Sequence, residues 1–134
     1  MRRTRTHFVF WAAAALACLA SLAIPAVAAQ PGMTVKIPAS QDVDNVYVLA
    51  AIHQKKCSMQ VTGSVMGHRF KTFRKSKVTI HLTNQAFLRL SGSAKRSVKK
   101  ALKRGKTVRA KVTVSARNGS GSRNSVTRSI RLKD

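Results

Sequence analysis

Past residue 29 the chain carries few side chains able to do chemistry: Cys57, the histidines His53, His68 and His81, and the carboxylates Asp42, Asp44 and Asp134. There is no glutamate. Zinc sites draw pairs of ligands from tightly spaced positions. The three histidines are far apart, and although a scattered pair can converge on folding, no metal centre and no cofactor is expected. Asp42 and Asp44 lie in a polar stretch, Gln41 to Asn45, that reads as a turn. With Asp134 as the only other carboxylate, hydrolysis by paired carboxylates has little to work with. A Ser-His-Asp site would need Asp42 or Asp44, and no serine lies in a nucleophile-elbow motif. Cys57 has no His-Asn or His-Asp arrangement nearby. The chain is therefore not expected to be an enzyme or to take a small-molecule substrate.

What it does carry is positive charge. Arg2, Arg3 and Arg5 lie in the leader described below, which leaves 23 of the 26 basic residues against three acids, a formal excess of +20. Nine of the 17 residues from Lys95 to Lys111 are basic, and Arg69, Lys71, Arg74, Lys75 and Lys77 form a second cluster. Ordinary surfaces intersperse both signs, because one-sided charge repels itself and lowers stability.

The elements that position these residues begin with an export signal. Arg2, Arg3 and Arg5 form a positive n-region, the stretch from Phe8 to about Ile24 is apolar, and Ala26-Val27-Ala28 supplies the small residues of a cleavage site. Val27-Ala28-Ala29 fits almost as well, so the mature chain begins near Ala29 or Gln30. Pro25 breaks the helix just before that site. The alternative is an uncleaved anchor, since Phe8 to Ala29 is long enough to span a bilayer. This divides the chain into a signal peptide, residues 1–29, and one domain, residues 30–134. With Cys18 in the leader, Cys57 has no intramolecular partner in an oxidising compartment. It reads as a buried thiol acting as a small hydrophobe. The alternative is an exposed thiol that joins two chains by an intermolecular disulfide.

Alternation dominates the rest. Val108, Ala110, Val112, Val114 and Ala116 share one face of a strand, with Arg109, Lys111, Thr113, Ser115 and Arg117 on the other. Asn118 to Ser122 reads as a hairpin loop, and the return strand runs from about Ser125 to Leu132, where Arg128 falls on the apolar face at a rim or a bulge. Upstream strands are predicted at Thr34–Ile37, Val46–Ile52, Ser58–Val65, Arg69–Phe73, Lys77–Leu82 with Val78, Ile80 and Leu82 inward, and Ala86–Leu90. Seven or eight short strands at this spacing predict an all-β antiparallel sandwich. One segment changes period. From Ser93 to Arg104, Ala94, Val98, Ala101 and Leu102 fall within about 100° on a helical projection. Lys95, Arg96, Lys99, Lys100, Lys103 and Arg104 take the opposite side, with Ser93 as the N-cap and Gly105 at the end.

The run Ser93 to Lys106, followed by Val112-Thr113-Val114-Ser115-Ala116 and Val126 to Leu132, resembles an immunoglobulin-like domain of secreted bacterial proteins of the actinobacterial type. In that family a short basic helix leads into a Val/Thr strand, a Gly-containing turn and a Thr/Arg-rich last strand. The resemblance covers roughly Lys56 to Lys133 and implies an extracellular immunoglobulin-like sandwich, often one module of a longer protein. Two departures stand out. The family often has a cysteine pair near the strand holding Cys57, and the upstream partner is absent here. Asn118 and Ser122 stand where the family's turn usually carries Asp and Asn.

Two functional expectations follow. In the first, an exported module docks electrostatically on anionic cell-wall polymer, lipid headgroups or extracellular nucleic acid, with Lys95, Arg96, Lys99, Lys100, Lys103 and Arg104 as the anion-binding residues. Base-specific reading is not expected, because Tyr47, Phe70, Phe73 and Phe87 do not interleave with the densest basic run. In the second, the domain is a structural or protein-interaction module of the cell surface whose sandwich edges or Cys57 join a larger assembly, Cys57 by an intermolecular disulfide.

Overall fold

Apolar residues at every second position build about half of the described residues into strands, and turns fall where the alternation breaks. The computed structural model describes residues 30–134. The predicted signal peptide, its cleavage site and the alternative membrane anchor lie outside the described residues.

In chain order the elements are β1 (Met33–Lys36), β2 (Ser40–Asp42), β3 (Val46–Ile52), β4 (Ser58–Val65), β5 (His68–Arg69), β6 (Phe73–Lys75), β7 (Thr83–Leu88), α1 (Gly92–Lys103), β8 (Val108–Arg117) and β9 (Arg123–Lys133). They form two sheets and one short helix. The smaller sheet has the order β1-β3-β7 and is antiparallel. The larger has the order β2-β9-β8-β4-β5, with β6 also paired to β4. Its edge strand β2 runs parallel to β9, and its other pairings are antiparallel. Both sheets contribute to one hydrophobic core, an arrangement compatible with a β-sandwich.

β3, β4, β8 and β9 supply most of that core. Val46, Val48, Ile52, Val61, Val112, Val114 and Ala116 are fully buried, and Ile130 and Leu132 nearly so. Each buried aliphatic side chain of this size contributes about 1.5–3 kcal/mol relative to an exposed one. Gln41 ties the sheets together at one edge. Its amide is buried, donates to the Pro38 and Tyr47 carbonyls and accepts the Tyr47 N–H, so a strand of the larger sheet is bonded to β3 of the smaller.

The helix stands where its period predicts, with Ala94, Val98 and Ala101 buried. Its N-cap is Ser91 rather than Ser93: the Ser91 hydroxyl accepts the Ala94 N–H, and Ser93 is already inside the first turn. At the other end Gly105 adopts φ +75°, and the Lys106 and Gly105 N–H groups bond to the Ala101 and Leu102 carbonyls, a Schellman closure.

Several expectations need correction. The stretch Gln41 to Asn45 is not all turn, since Gln41 and Asp42 belong to β2, and the strand expected at Ala86–Leu90 is β7, Thr83–Leu88. The strand expected at Arg69–Phe73 is two fragments, β5 and β6, separated where Phe70 turns into the core. The strand expected at Lys77–Leu82 does not form. Only the Val78 and His81 N–H groups bond outward, to the Cys57 and Ile52 carbonyls, and His81 at φ +62° ends any extended run. Val78 is buried, but Leu82 is 59% exposed. Finally, β8 and β9 pair in one unbroken register from Val108–Leu132 to Arg117–Arg123. Arg128 therefore marks no bulge and stands exposed at the rim.

Candidate functional site

The six cationic residues expected on the helix divide into two groups. Lys95 and Lys99, one turn apart, both reach Asp44 in the turn between β2 and β3. Lys95 Nζ is 3.1 Å from Oδ1, and Lys99 donates to Oδ2. Lys99 also lies 3.6 Å from Asp134. Hydrogen bonds from Lys99, then Lys95, hold the Asp44 carboxyl below the usual aspartate range. The same Asp44 bond holds the Lys99 ammonium above its own. Two of the three acids present are thus bound to this face of the helix. Arg96, Lys100, Lys103 and Arg104 are exposed, and none forms an ion pair among the described residues.

A second cationic surface is the outer face of the larger sheet. The register sets its side chains in rows across the strands. Arg69 on β5, Ser64 on β4, Lys111 on β8 and Ser129 on β9 form one row. Thr62, Thr113 and Thr127 form the next, with the Thr113 and Thr127 hydroxyls 2.9 Å apart. Arg74, Gln60, Ser115 and Ser125 follow, and then Ser58, Arg117 and Arg123. Towards the opposite end Arg109 faces Arg131, and Arg131 faces Ser40 on β2. Lys133 is paired in register with Asp42, the one acid in these rows. Asp42 is itself turned to the backbone, its Oδ1 accepting the Asp44 N–H at 2.8 Å.

Cross-strand arginines opposite arginines are unusual, since like charges set directly opposite destabilise a sheet by about 0.2–1 kcal/mol. Here there are two such pairs, Arg109–Arg131 and Arg117–Arg123, all four residues exposed. None of the four forms an ion pair among the described residues. Hydroxyls surround them. One hollow of about 310 Å³ is lined by Arg69 and Lys111 together with Thr62, Ser64, Thr72 and Thr113. Another joins Arg117 and Arg123 to Ser58 and Ser115. A third, lined by Leu102, Gly105, Lys106, Arg131, Lys133 and the carboxylate of Asp134, connects the C-terminal end of the helix to the end of the sheet face. Chemically this is a grid of guanidinium, ammonium and hydroxyl donors.

That grid was partly readable. The polar face of β8 and the basic cluster around Arg69 are both visible as sequence. Their union required the strand order, which seats β8 between β4 and β9.

The other candidate residues are placed as follows. Cys57 is 1% exposed, its Sγ 3.7 Å from the Lys55 carbonyl oxygen, and burial pushes its thiol pKa up. This matches the buried-thiol alternative and removes the sulfur from a surface where two chains could join. Phe70 is core, whereas Phe87 is half exposed on the smaller sheet, 6.4 Å from Tyr47 between ring centroids. His68 is half-buried in β5. His53 and His81 converge: their Nδ1 atoms are 3.1 Å apart, and the Thr34 hydroxyl is 2.9 Å from His53 Nε2. Nothing in the spacing of the histidines signalled that meeting.

No protein-family model matches the chain, and the search of curated proteins found no significant relative.

Proposed function

We propose that this chain is an exported, non-catalytic binding module that associates electrostatically with anionic polymers of the cell envelope, and that its docking surface is the outer face of the larger sheet. The exposed helix residues Arg96, Lys100, Lys103 and Arg104 extend that surface through the Lys106–Arg131 seam. One observation carries the reading: Arg109–Arg131 and Arg117–Arg123 oppose like charges across a ladder with no acid paired to them among the described residues. An anion lying across the strands would turn that repulsion into attraction.

The layout favours an extended polymer over a single small anion. Outward residues repeat every 6.6–6.8 Å or so along a strand, and neighbouring strands are about 4.8 Å apart. Such a grid meets repeated charges on a chain, and binding proceeds by release of counterions. Phosphate-rich wall polymer, lipid headgroups, acidic polysaccharide and extracellular nucleic acid share that chemistry, read without sequence specificity. The leader's composition supports export. The order of basic helix, Val/Thr strand, Gly-containing turn and Thr/Arg-rich last strand supports an immunoglobulin-like sandwich. The engagement of Asp44 and Asp134 with lysines supports a non-catalytic role. In the alternative, a structural or protein-interaction module of the cell surface, the route through Cys57 draws no support from a thiol with 1% exposure.

The test is retention of the protein on immobilised polyphosphate and on vesicles containing phosphatidylglycerol, across a salt series. Retention at low salt that falls steeply as salt rises is the expected result. No retention at low salt, or retention indifferent to salt, overturns the proposal.

A further inference from the structure

The basic surface leaves the histidine pair unexplained. His53 follows β3 and His81 ends the turn before β7, 28 residues apart in sequence, yet their rings meet nitrogen to nitrogen, with centroids 5.3 Å apart and planes tilted by 36°. Their Nδ1 atoms are 3.1 Å apart, one ring donating to the other. Two backbone bonds hold them there: the His53 N–H donates to the Gly32 carbonyl, and the His81 N–H to the Ile52 carbonyl. His81 also adopts φ +62°, a left-handed conformation that costs a non-glycine residue about 1–3 kcal/mol and is found disproportionately at functional positions.

We propose that His53 and His81 form a two-nitrogen chelate for a divalent first-row transition ion of the Cu2+ or Zn2+ class. Metal–imidazole bonds of about 2.0–2.1 Å, at angles between square-planar and tetrahedral, separate two nitrogens by about 2.8–3.4 Å. The observed Nδ1–Nδ1 distance lies inside that range, and a swing of the two rings off their end-on hydrogen bond turns both nitrogens toward one ion. Imidazole nitrogen suits zinc, copper, nickel and iron, whereas magnesium, calcium and manganese take oxygen ligands. Both rings are exposed, so an ion reaches them from solvent. Thr34 Oγ1 supplies what metal-binding histidines ordinarily have, a second partner on the far nitrogen that sets the tautomer. When the ion binds, both Nδ1 lone pairs face it. His53 then carries its proton on Nε2 and donates it to Thr34 Oγ1, and the Nδ1 proton now shared between the rings moves to Nε2 of its own ring through solvent. Two neutral imidazoles therefore bind the ion without net proton release. Among the described residues no third His, Cys, Asp or Glu joins them, so the remaining positions are taken by water and the ion exchanges readily.

The experiment is a Cu2+ titration of the full chain by calorimetry, at an ionic strength high enough to screen the cationic surface, with Zn2+ as competitor. One ion per chain is expected at this pair, with Cu2+ held more tightly than Zn2+ and two imidazole nitrogens in its electron paramagnetic resonance spectrum. His53→Ala and His81→Ala are each expected to weaken binding at least about 10-fold, Thr34→Val by about 10-fold, and the controls His7→Ala and His68→Ala not at all. All these side chains outside the leader are at least partly exposed, and far-UV circular dichroism checks that the variants remain folded. Absence of saturable binding, or equal affinity in the wild type, His53→Ala and His81→Ala, overturns the proposal.

Discussion

Arg109 on β8 and Arg131 on β9 face each other directly across the ladder, both exposed and both outside every ion pair formed among the described residues. Removing either charge is therefore expected to push stability and binding in opposite directions. Arg109→Thr and Arg131→Thr should each raise unfolding free energy by about 0.2–1 kcal/mol at low salt, while weakening retention on polyphosphate. Once one is replaced, replacing the other should add little stability, a coupling that a double-mutant cycle in denaturant reads directly.

Asp44 makes a prediction with a sign in pH. Its carboxyl is held below the ordinary value by hydrogen bonds from Lys99 and Lys95. A lowered folded-state value means the stabilisation is fully present above the unfolded value near 3.8 and is lost as pH falls through the folded one. Lys99 works in the opposite sense: its raised value leaves the stabilisation intact below 10.5 and removes it as pH climbs past the folded value. Asp44→Asn should therefore flatten both limbs of the stability–pH profile measured by thermal unfolding. The groups are exposed, so the difference should be small and should shrink in high salt.

Gln41 is the polar latch between the sheets. Gln41→Ala leaves the Tyr47 N–H and C=O without the bonds that the amide gives and accepts. A loss of about 1–3 kcal/mol in unfolding free energy is expected, without change in the salt dependence of polyphosphate binding.

Cys57 should be inert in the folded protein. Its burial and raised thiol pKa predict that a thiol reagent labels it at the rate of unfolding, and that non-reducing electrophoresis of native protein shows a single-chain species. Rapid labelling without denaturant would contradict the packing around β4.

Much of this architecture was legible before folding was considered. The five alternating apolar positions of β8 are buried as their period requires, and of the helical stripe Ala94, Val98, Ala101 and Leu102 the first three are buried while Leu102 is partly buried against the core. Val78, Ile80 and Leu82 show why alternation alone misleads. Three apolar residues in alternation describe where side chains could go, but a strand also needs a partner for its backbone, and residues 77–82 find only two isolated bonds. The cap is Ser91, two residues before the Ser93 expected from sequence, and the two hydroxyls are 3.3 Å apart.

The cationic surface was legible in its parts. Arg117 ends β8 as its alternation predicts, but Arg123 lies before the return strand expected from about Ser125, so the Arg117–Arg123 pair comes from the longer ladder of the folded chain. The partial neutralisation of the helix was not legible, because Asp44 lies 55 residues before Lys99 and meets it only through the packing of the β2–β3 turn. The same holds for His53 and His81, which nothing but the tertiary fold brings together.

The measurement closest to the central claim is the slope of log affinity for polyphosphate against log salt in two sets of variants. One neutralises Arg109, Lys111, Arg117 and Arg131 on the sheet, and the other neutralises Lys95 and Lys99 on the helix. The sheet set should flatten the slope by roughly 0.7 for each charge that contacts the polymer, while the helix pair, already bound to Asp44, should change it little. A slope that the sheet set leaves unaltered, or one that collapses only with Lys95 and Lys99, would contradict the assignment of the outer sheet face as the binding surface.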